Sequence, residues 1–161
     1  MGYALEITGK AVRQIEAAQA LVPLGTQINI AFLGNETHAQ RVNAAQVIRA
    51  CGFQPVPILS ARRLLSEADA SRLISDYQNA AAPERFLIVG GDPEHPQGPY
   101  QNAMALMNSG ILGRFGIKTV GIVAYPEGHP AIAAPALWAA LDWKRWFLDA
   151  EILRDRAQHC H

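Results

Sequence analysis

At 161 residues, with a formal net charge of zero and a pI near 7, the chain is long enough for one domain with a sizeable core and lacks the basic footprint of a nucleic-acid binder. Half of its residues are apolar and 17% are charged, a balance that excludes a disordered segment. No apolar run approaches the roughly 20 residues needed to cross a bilayer, and Met1-Gly2-Tyr3-Ala4-Leu5-Glu6 has neither the basic region nor the apolar core of a signal peptide.

The expectation is a cytoplasmic protein whose partner is a small molecule or another protein, with no nucleic acid and no membrane. Gly2 does not mark myristoylation, because position 6 is Glu where Ser or Thr is required. Cys51 and Cys160 are isolated thiols, so no disulfide framework is expected, and Cys51 falls within a helical apolar pattern as a core residue. His159-Cys160-His161 has the composition of a metal tail, but adjacent ligands do not wrap one zinc ion easily and no second pair exists. No metal is expected.

Tyr3 to Thr8 reads as a short strand ended by Gly9, and Ala11, Ile15, Ala18 and Leu21 then recur at helical spacing. The second strand runs from Ile28 to Leu33. Asn35 stands where a helix cap is needed, before a stripe of Val42, Ala45, Ile48 and Cys51 that stops at Gly52. A short third strand, Val56-Pro57-Ile58-Leu59, is interrupted by proline. Ser66 with Asp69 three residues on resembles a capping box, and Ala70, Leu73 and Tyr77 supply the inner face of the next helix.

Phe86-Leu87-Ile88-Val89 has the apolar continuity of a strand buried on both faces. Gly90-Gly91-Asp92 breaks it abruptly, three prolines and Gly98 stiffen the loop, and a helix is expected from Tyr100. The fifth unit comprises a strand over 117–123, the loop Ala124-Tyr125-Pro126-Glu127-Gly128-His129-Pro130, and a helix from about Pro135 to Arg156. Five strand-helix units in one domain, 1–161, imply an α/β fold of parallel strands with crossover helices. The pattern does not separate an open doubly wound sheet from part of a (β/α)8 barrel, although length favours the open sheet.

Ligands in such folds bind at the carboxyl ends of the strands, where Asp92, Tyr125, Glu127 and His129 fall, with Glu6 in the first strand. Carboxylates half-buried there can serve as general acids, and each is equally open to a capping or ion-pairing role. Lys144 lies on the stripe of Leu137, Leu141 and Leu148 in the last helix, where a lysine either snorkels past the core or holds an anion. Trp138, Trp143 and Trp146 lie on other faces and read as packing or an interface.

Glu6-Ile7-Thr8, Gly90-Gly91-Asp92-Pro93 with Gly98-Pro99-Tyr100, the block Tyr125-Pro126-Glu127-Gly128-His129-Pro130, and Lys144 resemble the motifs of methylenetetrahydrofolate reductase in order and approximate spacing. The resemblance runs from Glu6 to about Ala150. It implies a flavin-carrying TIM-barrel type (β/α)8 fold and an oxidoreductase of one-carbon metabolism. Such an enzyme passes a hydride from NADH or NADPH through FAD to 5,10-methylenetetrahydrofolate, giving 5-methyltetrahydrofolate.

On that resemblance Glu6 is the acid that opens the folate ring, and Asp92 lies beside the flavin pyrimidine edge and the pterin. Gly91, Tyr100, Tyr125, His129 and Lys144 match FAD-contacting positions, with Lys144 toward the phosphates. The pattern departs at Ile58, where many members carry histidine, and at Ala31, where a hydroxyl residue is usual. The chain ends where the family enters its sixth strand, so a partial barrel of about five units is expected. Open strand edges would then be covered by a homo-oligomer or a partner chain. The alternatives are a non-catalytic flavin- or folate-binding module and a structural half-barrel subunit.

Overall fold

A computed structural model describes residues 3–125, 127, 128, 130 and 132–158, with side chains through Phe147. The chain divides into two compact units, Met1–Gly121 and Ile122–His161. Its strands are β1 (Ala4–Ile7), β2 (Gln27–Ile30), β3 (Gln54–Ser60), β4 (Phe86–Val89) and β5 (Val120–Ile122). They lie side by side in that order in one parallel sheet, which establishes the α/β class. A doubly wound sheet reverses its strand order at a switch point, and these five strands run in sequence without one.

The helices are α1 (Val12–Ala18), α2 (His38–Ala50), α3 (Glu67–Ala81), α4 (Ala103–Asn108), α5 (Ile111–Arg114) and α6 (Ala134–Gln158), with a 3-10 turn at Ala61–Arg63. Register assigns the two faces of the sheet. Ile28 and Ile30 lie beside Pro55 and Pro57, and Leu59 lies beside Ile88, so these residues share one face with Phe86. Their near-complete burial marks the helix-covered side, where the Tyr77 ring of α3 meets Phe86 edge-on at 6.2 Å. Glu6, Asn29, Leu87 and Val89 occupy the opposite face, which stays exposed at β1 and half-buried at β2 and β4. Among the described strands, the central strand β3 alone is buried on both sides, through Val56, Ile58 and Ser60.

The prolines of β3 shorten nothing, and the strand runs seven residues. Gln54 donates its backbone N–H to the carbonyl of Thr26, just before β2, so alternate residues, including Pro55 and Pro57, turn their nitrogens toward β4. The β4 ladder begins only at Ile58 beside Leu87, and the missing N–H groups therefore cost no ladder bond.

Several boundaries differ from the sequence reading. Helix α2 is capped by Thr37, whose Oγ1 accepts from Gln40 N at 3.2 Å while Gln40 Oε1 accepts from Thr37 N at 2.9 Å; Asn35 instead offers its backbone carbonyl to Lys10 Nζ. Ser66 caps α3 as expected, accepting from Asp69 N, and the Asp69 carboxylate accepts in turn from Leu65 N. Helix α1 ends at Ala18, which leaves Leu21 exposed. The helix expected from Tyr100 starts at Ala103 under an Asn102 cap, and Gly110 at φ +75° divides it into α4 and α5. Cys51 is a buried free thiol, in keeping with a core role.

Candidate functional site at the carboxyl edge of the sheet

Glu6 occupies the third position of β1, on the face opposite Ile28 and Ile30, and it is exposed to solvent. Its neighbour across the ladder is Asn29 of β2, so two polar groups sit side by side on that face. Three strand spacings of about 4.8 Å separate β1 from β4, where Gly90, Gly91 and Asp92 leave the sheet.

The two glycines differ in kind. A side chain on Gly90 would meet nothing within 4 Å, so this position presents bare backbone to the edge. Gly91 has φ +96°, and a Cβ there would come within 2.2 Å of Ser60 Oγ at the end of β3. The loop thus closes onto Ser60, which is 1% exposed and whose hydroxyl has no hydrogen-bond partner among the described residues.

Asp92 is not a lone carboxylate. Arg63 grips it with two parallel hydrogen bonds, Nε to Oδ1 at 2.9 Å and Nη2 to Oδ2 at 2.8 Å. These bonds hold the Asp92 carboxyl below the usual carboxylate range. The guanidinium of Arg63 also fills the space over Gly34, where a Cβ would fall 2.3 Å from Nη1. Arg63 therefore joins the loops that follow β2, β3 and β4.

Its neighbour Arg62 fixes the same loop through backbone. Its N–H donates to Gly90 O at 2.9 Å, its carbonyl accepts from Gln97 N at 2.8 Å, and its side chain reaches Gln101 O and Pro93 O. Neither arginine was singled out in the sequence, although two consecutive arginines just beyond a buried strand are the signal that marks them.

Tyr100 lies elsewhere. It is 4% exposed, and burial pushes its hydroxyl pKa upward. Its ring is part of the core that also holds Ala103, Leu106 and Met107. Ala31 and Ile58 are both buried and bring no polar group to the edge.

A second polar cluster lies at the start of α2. Arg41, 1% exposed, stacks its guanidinium 3.9 Å from the Phe32 ring centre and donates Nη1 to the carbonyls of Leu33 and Glu36. Burial lowers its pKa. His38 stands 3.7 Å from Asp69, and burial outweighs that carboxylate in lowering the imidazole pKa. This cluster anchors the loop between β2 and α2.

In the unit Ile122–His161, Tyr125 is exposed and Lys144 projects from α6 to donate Nζ to Val123 O at 3.2 Å. Lys144 is half-buried, which lowers its pKa. It ties the helix back to the carboxyl end of β5 instead of extending past the core. Trp143 stacks on Phe147 with ring centres 5.2 Å apart, while Trp138 and Trp146 are exposed. His129, Pro126, Leu148 and the tail His159-Cys160-His161 lie outside the described residues or side chains.

A cavity of about 460 Å³ opens at the other, amino-terminal edge of the sheet, lined by residues such as Tyr3, Pro23, Leu24 and Gln27. Its lining, among the described residues, has no carboxylate, imidazole or amine. Among the described residues no three metal-ligating side chains cluster, and no helix is long and apolar enough to cross a membrane. No protein-family model matches the chain.

Proposed function

We propose that the chain is a flavin-binding oxidoreductase unit that acts on a reduced folate, built as five consecutive units of a TIM-barrel type (β/α)8 fold. The observation that carries this reading is the sequential parallel sheet with a bare glycine backbone and a presented carboxylate at its carboxyl edge and Glu6 exposed on the face opposite Ile28 and Ile30. The residues present suit a flat heterocycle: Gly90 allows close approach to backbone, and Asp92 offers acceptor oxygens at the rim.

FAD, when bound, supplies hydride transfer between NADH or NADPH and the folate. Glu6 is then the acid, donating a proton to a folate nitrogen under a ligand that excludes water. Asp92 accepts hydrogen bonds from ring N–H groups. Gly91 shapes the turn that sets Asp92 in place, and the resemblance alone assigns FAD contacts to Gly91, Tyr100, Tyr125, His129 and Lys144. Lys144 has a cation suited to the diphosphate.

The test is direct. Titrating the protein with FAD should quench flavin fluorescence and shift the visible band, and the loaded protein should oxidise NADH or NADPH with an artificial acceptor. With methylenetetrahydrofolate as acceptor, Glu6→Gln should abolish folate reduction and leave flavin reduction intact. Binding without NAD(P)H oxidation would support the non-catalytic module.

A structural half-barrel is the second reading, favoured by the exposure of Leu5 and Glu6 on the edge strand β1. A second copy or a partner chain would cover that edge, and sedimentation velocity distinguishes a self-associating chain from a monomer.

A further inference from the structure

We propose that Arg63 is the positioning residue of this edge: it fixes Asp92 as an oriented carboxylate, so that Asp92 serves a heterocyclic ligand as hydrogen-bond acceptor and not as proton donor. The inference deepens the flavin reading and rests on it for the identity of the ligand.

Exposure divides the pair unequally. The side chain of Arg63 is 15% exposed and that of Asp92 is 76% exposed, so the cation is set into the protein and the carboxylate is presented to solvent. Each carboxylate oxygen takes one N–H from the fork, which sets the plane of the group and leaves its outer lone pairs free to accept. A lysine, with a compact charge and no planar fork, does not impose that plane.

Arg63 is itself held. It closes the 3-10 turn Ala61–Arg63 directly after β3, and the adjacent Arg62 locks that turn to Gly90, Pro93, Gln97 and Gln101. Gly34 leaves room for the guanidinium on its other side. Within the Asp92 loop Glu94 and His95 also carry titratable groups, and Arg63 is the charged side chain that acts on Asp92.

The experiment follows the Asp92 carboxyl carbon by NMR across acid pH in the full chain, assigned with Asp92→Asn, alongside FAD binding by fluorescence. Asp92 in the unaltered chain should titrate below the ordinary value of about 3.9. Arg63→Gln should return it to that value and weaken FAD about tenfold, as much as Asp92→Asn does. Arg63→Lys should recover part of the titration shift and less of the affinity.

An Asp92 titration that ignores Arg63→Gln overturns the inference. So does a normal FAD affinity in Arg63→Gln once the titration has shifted. If the unaltered chain does not bind FAD, the flavin reading falls instead, and the Asp92 titration in the arginine variants alone decides the role of Arg63.

Discussion

Gly90 and Gly91 are adjacent and chemically identical, yet adding one methyl group to each should have very different consequences. At Gly91 the backbone has φ +96°, a region closed to residues with a Cβ, at a cost of about 1–2 kcal/mol. The new Cβ would also lie 2.2 Å from Ser60 Oγ, inside van der Waals contact with a fully buried side chain, and overpacking of that kind costs about 1–3 kcal/mol. Gly91→Ala should therefore lose about 2–5 kcal/mol, a large share of the ~5–15 kcal/mol of a typical domain. Gly90→Ala meets open space at an ordinary φ and should change stability by less than about 0.5 kcal/mol.

Urea unfolding followed by circular dichroism measures both, with the slope checked for constancy so that midpoints report stability. A third variant separates strain from clash. Ser60→Ala removes the hydroxyl that the new methyl strikes, and because that hydroxyl has no partner its loss alone should be close to neutral. In the double variant Ser60→Ala with Gly91→Ala, the overpacking cost of about 1–3 kcal/mol should return, leaving the φ cost of about 1–2 kcal/mol behind. Equal midpoints for the two glycine variants would refute the reasoning, since they would mean that the loop does not close on Ser60.

Three further outcomes follow from the structure. Thr37→Ala should cost about 1 kcal/mol by removing the α2 cap, while Asn35→Ala should cost less than half as much, measured by thermal unfolding. Arg41→Ala should cost about 3–5 kcal/mol in urea unfolding, because it deletes two hydrogen bonds to loop carbonyls and the contact with Phe32. Lys144 has a folded pKa below its unfolded value, so its charge opposes folding below the folded pKa, and that penalty is relieved as pH rises from there toward about 10.5. The stability of the unaltered chain should accordingly gain on that of Lys144→Met as pH is raised through this window, with parallel curves counting against the burial of Lys144.

The fold was legible wherever a residue's neighbours along the chain decide its state. The span of the strand at Phe86–Val89, the Ser66 cap and the stop at Gly52 depend on local chemistry and stand where the sequence placed them, whereas the burial on both faces expected of that strand fails at Leu87 and Val89, which are half-buried. Boundaries failed where tertiary contacts outvote local signals. Pro57 looked like an interruption because the sequence cannot say which side of a strand lacks a partner. Thr37 displaced Asn35 because Gln40 can answer its hydroxyl and nothing at position 38 answers Asn35 in the same way.

The site divides along the same line. Asp92 was found because glycines beside it announce a turn at a strand end, a local signal. Its partner is 29 residues away, and no pattern in the sequence joins Arg63 to it. Tyr100, eight residues from Asp92, is matched to a flavin contact by the resemblance, and here the prolines and Gly98 carry the chain past the Leu64 and Leu65 carbonyls to a buried position for its ring. Gly98 is required for that passage, since a Cβ would strike the Leu64 and Leu65 carbonyls at 2.3 and 2.5 Å. The loop is thus pinned at Gly91 by Ser60 and at Gly98 by the backbone after β3, with Arg62 bonded to the segment between them. Asp92 stands in a loop held at both ends, which is the condition under which a single arginine can set the orientation of an otherwise exposed carboxylate.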